Sequence, residues 1–400
     1  MKIALIHNYY RLTGGEEAVL AAEKLLVEDA GHEVVMFTKS SSDVSERGFL
    51  GGLRLAVQTI YSRGVRRELM EFMIRERPNI AHFHNTFPLI SPSAYDACRK
   101  AGIPVVQTLH NYRLICPAAT LSRNGSPCNQ CVGRRVAWPG VLHSCYRSSL
   151  PATLAVTLML ATHRAIGTWT SAVDTYIVLT EFARDRFIEG GLPADRLVVK
   201  PNFVYPDPGP GAHEGGFALF VGRLSRDKGL PTVLAAWQGM GGTLPLKIVG
   251  AEVPQSDQAV PHRGIQGVEW IGTVAHADLL RMMQDAMMLV FASPLHEGMP
   301  SVILEAFATG LVVVAADMGG AKSLVEDGRN GVLFKAGDAQ ALTSAVARVC
   351  GDADSRARMG TAARADFLRS HTATRSLNRL LDIYRGAADS ADRPSVNQAR

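Results

Sequence analysis

The stretch Ser293–Glu305 reads SPLHEGMPSVILE, and it decides the fold. Before this stretch, Met287–Ala292 is a short apolar run typical of a buried strand. Ser301–Thr309, which begins inside the stretch, has the apolar spacing of a helix. Pro300 suits the first helical position, where its missing N–H costs nothing. We therefore predict a strand, a glycine turn and a helix, with free N–H groups around Gly298–Ser301 forming an anion site at the edge of a sheet.

Similar pairs of strand and helix extend along the chain in both directions. The predicted strands are the short apolar or β-branched runs Lys2–Ile6, Glu33–Thr38, Asn79–Phe83, Pro104–Leu109, Asp174–Leu179, Leu197–Lys200, Phe217–Val221, Leu246–Val249, Met287–Ala292, Val312–Ala315 and Val332–Phe334. The predicted helices include Glu16–Ala30, Ser93–Ala101, Glu181–Gly190, Leu230–Gln238, His276–Asp285, Ser301–Thr309 and Ala339–Val349. This alternation is typical of the α/β class, in which a parallel sheet carries helices on both faces.

A segment rich in proline and glycine, Asn202–Gly216, interrupts the alternation and predicts a domain boundary. We expect an N-terminal domain on the acceptor side over 1–203, a linker over 204–216 and a C-terminal donor domain over 217–370. A closing helix over 371–386 and a disordered tail over 387–400 complete the prediction. Two doubly wound Rossmann-like domains joined by one hinge are expected to face each other across a cleft.

Composition excludes several classes of protein. The chain has 400 residues, of which 47% are hydrophobic and 20% charged, so it can bury two or three cores and is not disordered. A formal net charge of +5 is too small for a dedicated nucleic-acid binder, and we expect no nucleic-acid partner. The apolar runs Ile3–Ile6 and Leu150–Ala161 are too short for a signal peptide and a membrane span, so we expect a cytoplasmic protein.

The segment from Ala97 to Val173 contains no Asp or Glu. Eight basic residues fall within it: Arg99, Lys100, Arg113, Arg123, Arg134, Arg135, Arg147 and Arg164. Such a segment faces or surrounds an anionic group, unless the imbalance is chance in an apolar, loop-rich region. The stretch Leu150–Trp169 also suits an acidic membrane surface, although a buried helix explains its apolar part equally well.

A second motif, Val221–Gly229, reads VGRLSRDKG and follows the first predicted strand of the second domain. Gly222 lets the backbone turn, and Arg223 and Lys228 are spaced so that both can reach one diphosphate. In the first motif, the carboxylates of Glu297 and Glu305 flank the turn, and a carboxylate can accept two hydroxyl donors of a sugar or a ribose. Each motif alone is also compatible with ordinary surface charges on a loop.

Taken together and in this order, Gly222-Arg223, Lys228-Gly229, Glu297 and Glu305 resemble glycosyltransferase family four. This family comprises retaining nucleotide-sugar glycosyltransferases of GT-B fold, and the chain resembles a subset with a cysteine-containing insert in the N-terminal domain. The resemblance covers essentially the whole chain. It also includes the glycine-rich loop Thr13–Glu16 and Pro201-Asn202 before the linker, together with Gly250 and Gly319–Glu326.

The resemblance implies roles for the residues of the second domain. Arg223 and Lys228 would bind the donor diphosphate after the turn at Gly222, and Glu305 would bind the ribose hydroxyls. Glu297 would contact the transferred sugar. The turn that would hold the donor between these carboxylates consists of Gly298, Met299, Pro300 and Ser301.

In the first domain, the resemblance implies that Gly15 gives a backbone N–H to the donor phosphate. His110 corresponds to the histidine that the family places near the reacting sugar. Asn111 follows it where the family often has Asp, so the resemblance supports no carboxylate role at that position. His110 and Glu297 are thus the catalytic candidates.

The implied activity is the transfer of a sugar from a UDP-, GDP- or ADP-sugar to a hydroxyl acceptor, in bacterial cell-surface polysaccharide or glycolipid synthesis. The expected acceptor is lipid-linked or a saccharide, and the enzyme would work in the cytoplasm or peripherally on the inner face of the membrane. No catalytic metal is expected, because cations and helix N-termini can stabilise a leaving diphosphate. Two alternatives stay open: a phosphorylase-like or epimerase-like enzyme of the same fold, and a non-catalytic zinc-stapled scaffold in a polysaccharide assembly complex.

Four cysteines fall within the insert 111–150, at Cys116, Cys128, Cys131 and Cys145. Cys128 and Cys131 have the spacing of a zinc knuckle, and the two flanking cysteines would complete a tetrahedral set for one structural zinc. Unligated buried thiols, and redox or disulfide pairs, are the alternatives that the sequence leaves open.

Overall fold

The structure, a computed structural model, describes residues 1–10, 14–43, 49–253, 260 and 264–391. Its strands are β1 Lys2–Tyr9, β2 Glu33–Ser40, β3 Ile80–Asn85, β4 Val105–Leu109, β5 Ser122–Arg123, β6 Ser126–Pro127, β7 Thr175–Val178, β8 Leu197–Val199, β9 Ala218–Val221, β10 Leu246–Val249, β11 Val268–Gly272, β12 Met288–Phe291, β13 Val313–Ala316 and β14 Gly331–Phe334. Most of them are short runs of β-branched and aliphatic residues, which suit a pleated surface that is buried on both faces.

Helices connect successive strands, as a parallel sheet requires. They are α1 Gly15–Asp29, α2 Phe49–Ile60, α3 Arg63–Glu76, α4 Ala94–Lys100, α5 Trp138–Leu142, α6 Leu150–Ala165, α7 Thr168–Ser171, α8 Glu181–Glu189, α9 Leu230–Met240, α10 His276–Asp285, α11 Ser301–Thr309, α12 Gly319–Leu324, α13 Ala339–Gly351, α14 Ala353–Ser370 and α15 Ala373–Ala391.

Contacts divide the chain into two units. The first unit comprises Met1–Leu121, Asn129–Pro201 and the chain from Ser376 onwards, and the second comprises Ser122–Cys128 and Asn202–Arg375. The division therefore falls between Pro201 and Asn202, and most of α15 groups with the first unit. The predicted scheme assigned the closing helix to neither domain.

The first unit contains a six-stranded parallel sheet in the order β2-β1-β3-β4-β7-β8. Its register pairs Leu5 with Met36 on one side and with His82 on the other. Alternate residues of the strands enter two cores, so that Phe83 packs on one face while Ile177 packs with Tyr384 of α15 on the other. The order of the strands reverses between β1 and β3, and this is the position where doubly wound sheets bind ligands.

The second unit contains another six-stranded parallel sheet, in the order β11-β10-β9-β12-β13-β14. This is the strand order 3-2-1-4-5-6 of a Rossmann sheet, with the reversal between β9 and β12. The predicted α/β class, with two doubly wound Rossmann-like sheets, is confirmed. The carboxyl ends of β9 and β12 lead directly into the two motifs that decided the prediction.

The structure corrects three details of the prediction. Pro300 is not the first helical residue: with φ −68° and ψ 112° it is extended and caps α11, which begins at Ser301. The tail predicted over 387–400 starts too early, because α15 continues to Ala391 and buries Ala387. The remaining residues, 392–400, lie outside the described residues. The insert 111–150, predicted as a loop, contains a short hairpin and α5.

Candidate active site

The two predicted donor motifs meet at the switch point of the second unit. Lys228 follows β9 and Glu297 follows β12, and these strands are neighbours in the sheet. The Nζ atom of Lys228 lies 2.8 Å from Oε1 of Glu297, and both side chains are about one-quarter or less exposed, at 24% and 20%. This ion pair between two separate loops shows that the loops meet at one edge of the sheet.

Further contacts hold the loop after β9 in place. Nη2 of Arg223 lies 2.9 Å from Oδ2 of Asp227, and the Ser225 hydroxyl donates to the same carboxylate. The hydroxyl of Ser293, which follows β12, donates to the backbone carbonyl of Asp227 at 3.1 Å. The loop that carries both candidate diphosphate ligands is therefore braced internally and against the second motif.

Two glycines make this close approach of loops sterically possible. Gly229 has φ +76°, and a Cβ atom at this position would lie 1.9 Å from the carbonyl oxygen of Ala292. A Cβ atom at Gly320 would lie 2.5 Å from the carbonyl oxygen of Gly298. The N–H of Gly320 instead donates to the carbonyl of Glu297 at 2.9 Å, which fixes the turn before α11. A side chain at Gly229 would push the two motifs apart, and one at Gly320 would push α12 away from the turn before α11.

The N-terminus of α11 supplies backbone donors beside this ion pair. Gly298 is half-buried, and Met299 is buried with its sulfur accepting a hydrogen bond from the Asn202 N–H at 3.2 Å. Pro300 has no N–H, so the first free helical donor belongs to Ser301. The helix dipole and these N–H groups favour an anion, as the sequence predicted, although the proline stands one position earlier than expected.

Glu305 lies one turn inside α11 and has a partner that the sequence did not suggest. Its Oε1 atom lies 2.9 Å from Nε2 of His276, the first residue of α10. The hydrogen bond to Glu305 raises the pKa of His276 above its ordinary value. The carboxylate predicted to bind ribose hydroxyls is thus held by a histidine that is 54% exposed and free to move away.

In the first unit, His110 belongs to a chain of polar contacts at the carboxyl ends of the strands. Nε2 of His110 lies 3.0 Å from Nδ1 of His84, and the two rings stack with centroids 5.2 Å apart. Nε2 of His84 lies 3.4 Å from Glu23, whose other oxygen lies 2.5 Å from Nζ of Lys200. The contacts therefore run from Lys200 through Glu23 and His84 to the catalytic candidate His110.

Burial sets the charges along this chain. Burial by itself would raise the pKa of Glu23, but Lys200 and His84 outweigh it and hold the pKa below its ordinary value. Burial lowers the pKa of His84 well below its ordinary value, and the pKa of His110 to about 4. At neutral pH Glu23 is thus ionised, while both histidines are neutral.

Glu23, His82 and His84 also form the one set of metal-ligating side chains that the described residues bring together, with their ligand atoms within 4.8 Å of one another. The two ring nitrogens of His82 lie 2.8 Å from the hydroxyls of Tyr384 and Thr108, and Oε1 of Glu23 pairs with Lys200. Oε2 of Glu23 and Nε2 of His84 lie 3.4 Å apart, and neither has a hydrogen-bond partner within the described residues. The set is therefore only partly engaged by its neighbours.

Helix α1 begins at Gly15, whose backbone N–H is predicted to bind the phosphate of the sugar donor. Two carboxyl groups lie close to this end of the helix. The Glu17 carboxylate accepts from the N–H groups of Tyr10 and Gly14, both at 2.9 Å. Burial and the neighbouring Glu17 raise the pKa of Glu16 to about 8. Thr13, the first residue of this glycine-rich loop, lies outside the described residues.

The four cysteines of the insert are not among the sets of metal-ligating side chains that the described residues bring together. Cys116 is buried in the apolar core of the first unit, and the thiol of Cys131 points to the carbonyl of Ala137 at 3.9 Å. Cys128 lies in a segment that groups with the second unit. All six cysteines are free of disulfides, and the structural zinc stays a prediction.

Sequence reasoning missed several residues of these two sites. Its candidate site residues did not include Glu23, Lys200 or His276. A signal for Glu23 is present, since it lies between Leu20 and Val27 on the apolar face of α1, where a charge needs a partner. No comparable signal marks His276.

Comparisons with known proteins agree with this arrangement. A family model described as Glycosyltransferase Family 4 matches residues 13–207, and one described as Glycosyl transferases group 1 matches residues 209–366. The two matches follow one another and account for nearly all of both units. The chain belongs to the family four glycosyltransferases. The family and the GT-B fold inferred from the sequence are confirmed.

Individual members of the family cover the chain to different extents. Glycogen synthase of Mycobacterium tuberculosis is 33% identical over 178 residues, which are 42% of this chain and 43% of that protein. Alpha-maltose-1-phosphate synthase of Mycolicibacterium smegmatis is 29% identical over 245 residues, or 54% of this chain and 63% of that protein. The chain thus spans about half the length of these curated relatives.

A solved structure matches over almost the full length. The HepE protein of Anabaena in complex with UDP-glucose aligns with 96% of this chain and 100% of its own, with a TM-score of 0.68 and 18% identity. At this identity the likeness shows the fold alone. None of the helices in the described part of the chain combines the length and apolar character needed to cross a bilayer.

Proposed function

We propose that this family four protein is a retaining glycosyltransferase that moves a sugar from a nucleotide-sugar donor to a hydroxyl acceptor. The observation that carries the proposal is the pair of Lys228 and Glu297, 2.8 Å apart at the switch point of the second unit. A cation for the diphosphate and a carboxylate for the sugar hydroxyls are the groups that a nucleotide sugar needs. HepE, a protein of the same fold, has been crystallised with UDP-glucose.

The residues around this pair suit the departure of a diphosphate. As the bond from the sugar C1 to the phosphate oxygen breaks, the electron pair leaves with the nucleoside diphosphate, and the acceptor oxygen forms the new bond to C1. Lys228, Arg223 and the free N–H groups at the start of α11 would stabilise the developing negative charge. The acceptor hydroxyl loses its proton in the same process, and a departing phosphate oxygen on the same face can receive it.

We further propose that Glu297 binds hydroxyls of the transferred sugar and that Glu305 binds those of the ribose. His110, held by His84 and Glu23, would act on the sugar in its neutral form. The acceptor would be a saccharide or a lipid-linked saccharide in cell-surface polysaccharide or glycolipid synthesis. Glycogen synthase, a relative, is named for a polysaccharide.

Binding and turnover of a donor panel test this proposal. The protein is titrated with UDP-, GDP- and ADP-sugars while its thermal unfolding is followed, and the donor that stabilises it is assayed with saccharide and lipid-linked acceptors. We expect one nucleotide class to raise the melting temperature. We expect Lys228→Ala to lower kcat/KM by about 10²–10³-fold, because one charge on the leaving group is lost.

Arg226 provides a matched control for this variant. It lies in the same loop, two residues before Lys228, and it is exposed. Arg226→Ala removes the same charge from the loop and should change kcat/KM less than about twofold, since a surface charge contributes little. Equal losses in both variants, or no thermal shift with any nucleoside diphosphate, would contradict the proposal and favour a non-catalytic scaffold.

A further inference from the structure

Helix α6 exposes a face that consists of apolar residues. Leu150, Leu154 and Leu158 are 54%, 43% and 45% exposed, and their spacing of four residues places them in one row along the helix. Val156 and Leu160, on the other side of the helix, are buried. Helices that face water usually carry polar residues on their outer side. This row therefore indicates a surface that binds a lipid bilayer or another molecule.

Two helices that pack against α6 also expose large apolar side chains. On α5, Trp138 and Leu142 are 52% and 67% exposed, and on α2, Leu53 and Val57 are 53% and 57% exposed. Single exposed apolar residues are ordinary, but seven large ones on three neighbouring helices are not. We call this surface the docking face; it consists of Leu53, Val57, Trp138, Leu142, Leu150, Leu154 and Leu158.

Positive charge adjoins the docking face. Val57 also lines a cavity of about 1320 Å³ that contains more cations than carboxylates. The cations are Lys39, Arg54, Arg63, Arg66 and Lys100, against Glu68 and Asp96. In the described part of the chain, no carboxylate pairs with Arg54 or Arg63. The cavity therefore retains a net positive charge beside the apolar row.

The segment that contains α5 and α6 adds basic residues and no acidic ones, since Asp and Glu are absent from 97–173. The guanidinium of Arg134 lies over the exposed ring of Trp138, 5.4 Å from its centroid. Tryptophan beside arginine is a combination typical of the boundary between lipid headgroups and acyl chains. A second copy of this chain would bring the same positive charge and would be repelled.

We infer that the docking face lies on an anionic lipid bilayer. The leucines and Trp138 would enter the boundary of the acyl chains, while Arg54, Arg63 and Arg134 would face the headgroup phosphates. Since none of the described helices can span a bilayer, the contact is interfacial. This inference goes beyond the proposed activity, because binding to vesicles requires neither donor nor turnover.

Sedimentation of the full chain with vesicles tests the inference. The protein is mixed with vesicles of phosphatidylcholine alone, or with about one third phosphatidylglycerol, at low and at high salt. We expect binding to the anionic vesicles that weakens with salt, and little binding to the neutral ones. The double variant Leu154→Gln/Leu158→Gln should bind at least about tenfold more weakly, and so should Arg54→Gln/Arg63→Gln on anionic vesicles.

A matched control uses exposed leucines elsewhere. Leu25 on α1 and Leu368 on α14 are 50% and 47% exposed, and their double change to Gln should leave vesicle binding unchanged. Equal sedimentation of wild type and Leu154→Gln/Leu158→Gln would overturn the inference, and so would equal binding to neutral vesicles. A wild-type dimer that this variant converts to a monomer would also overturn it.

Donor binding in solution separates this inference from the proposed function. The variants of the docking face should keep the thermal shift that the donor produces, because they leave Lys228 and Glu297 intact. Loss of vesicle binding with a retained donor shift supports the docking face alone. Vesicle binding without any donor shift would contradict the proposed function and leave the docking face supported.

Discussion

The switch-point edges of the two sheets both carry paired charges, but these charges are buried at one edge and partly exposed at the other. At the edge of the first unit, Glu23 and Lys200 are buried with 3% side-chain exposure each, and the surrounding histidines are neutral. At the edge of the second unit, Lys228, Glu297 and Arg223 keep between 20% and 51% of their side chains exposed. One edge is a closed network, and the other is a set of open ion pairs.

The two edges differ in how easily an ion pair can give up one partner for a ligand. An exposed ion pair is worth little, because water solvates both partners almost as well. Lys228 can therefore leave Glu297 for a phosphate at a small cost. A buried pair is strongly coupled, since either partner left alone would be an unsolvated charge. The edge of the first unit is accordingly suited to holding His110 in one orientation and one charge state.

The largest effect that would test this comparison comes from Glu23. Glu23→Gln leaves Lys200, which is 2% exposed, as a buried charge without its carboxylate. We expect a loss of about 3–5 kcal/mol in the free energy of unfolding of the first unit. Urea unfolding followed by circular dichroism at neutral pH measures this loss.

Helix α1 contains its own control for this variant. Glu28 pairs with Lys24 at 2.7 Å, but both side chains are 36% exposed. Glu28→Gln should change the free energy of unfolding by less than about 0.5 kcal/mol. If the two variants were equally stable, the contrast between a buried and an open edge would be wrong.

A smaller effect is expected from acid. Burial lowers the pKa of the fully buried His7 to about 4, while in the unfolded chain it is near 6.5. Between these values the unfolded chain binds more protons, so the stabilising contribution is present above pH 6.5 and is lost as the pH falls. At pH 5 the loss from His7 alone is about 2 kcal/mol. His110, with its pKa also near 4, adds in the same direction.

Unfolding free energies at pH 7 and pH 5 measure this loss, and His7→Asn isolates the share of one histidine. The asparagine does not titrate, so the variant should lose less stability between the two pH values than wild type does. The same pH dependence in wild type and variant would show that His7 is not kept neutral by burial.

The sequence was sufficient to predict most of the sheet strands. Strands such as β12 and β13 are buried on both faces and form unbroken apolar runs, so their predicted limits lie within a residue or two of the observed ones. The edge strand β11 was missed because Glu269 and Trp270 interrupt its pattern and its side chains are partly exposed. Helix α3 was missed because only Leu69, Phe72 and Met73 among its 14 residues are buried.

Site residues that lie close together in the sequence were predicted, and those that lie far apart were not. Arg223 and Lys228 share one short loop, so their spacing alone placed them together. Glu23 and Lys200 are 177 residues apart, and only the packing of α1 against the sheet joins them. The cysteines show the converse, since Cys128 and Cys131 have a favourable spacing but do not belong to the set of metal-ligating side chains found in the described residues.

The smallest expected effect concerns the exposed pair of His276 and Glu305, which sharpens the comparison from the side of the open edge. The hydrogen bond to Glu305 raises the pKa of His276, so its stabilising contribution is present below pH 6.5 and is lost as the pH rises through the higher folded value. Because His276 is 54% exposed, His276→Gln should cost less than about 0.5 kcal/mol in stability.

If Glu305 binds ribose hydroxyls, protonated His276 competes for it, and the affinity for UDP or the preferred nucleotide should rise between pH 6 and pH 8. Calorimetric titration should show this rise in wild type and a flat profile in the variant. The same pH profile in both would separate Glu305 from nucleotide binding.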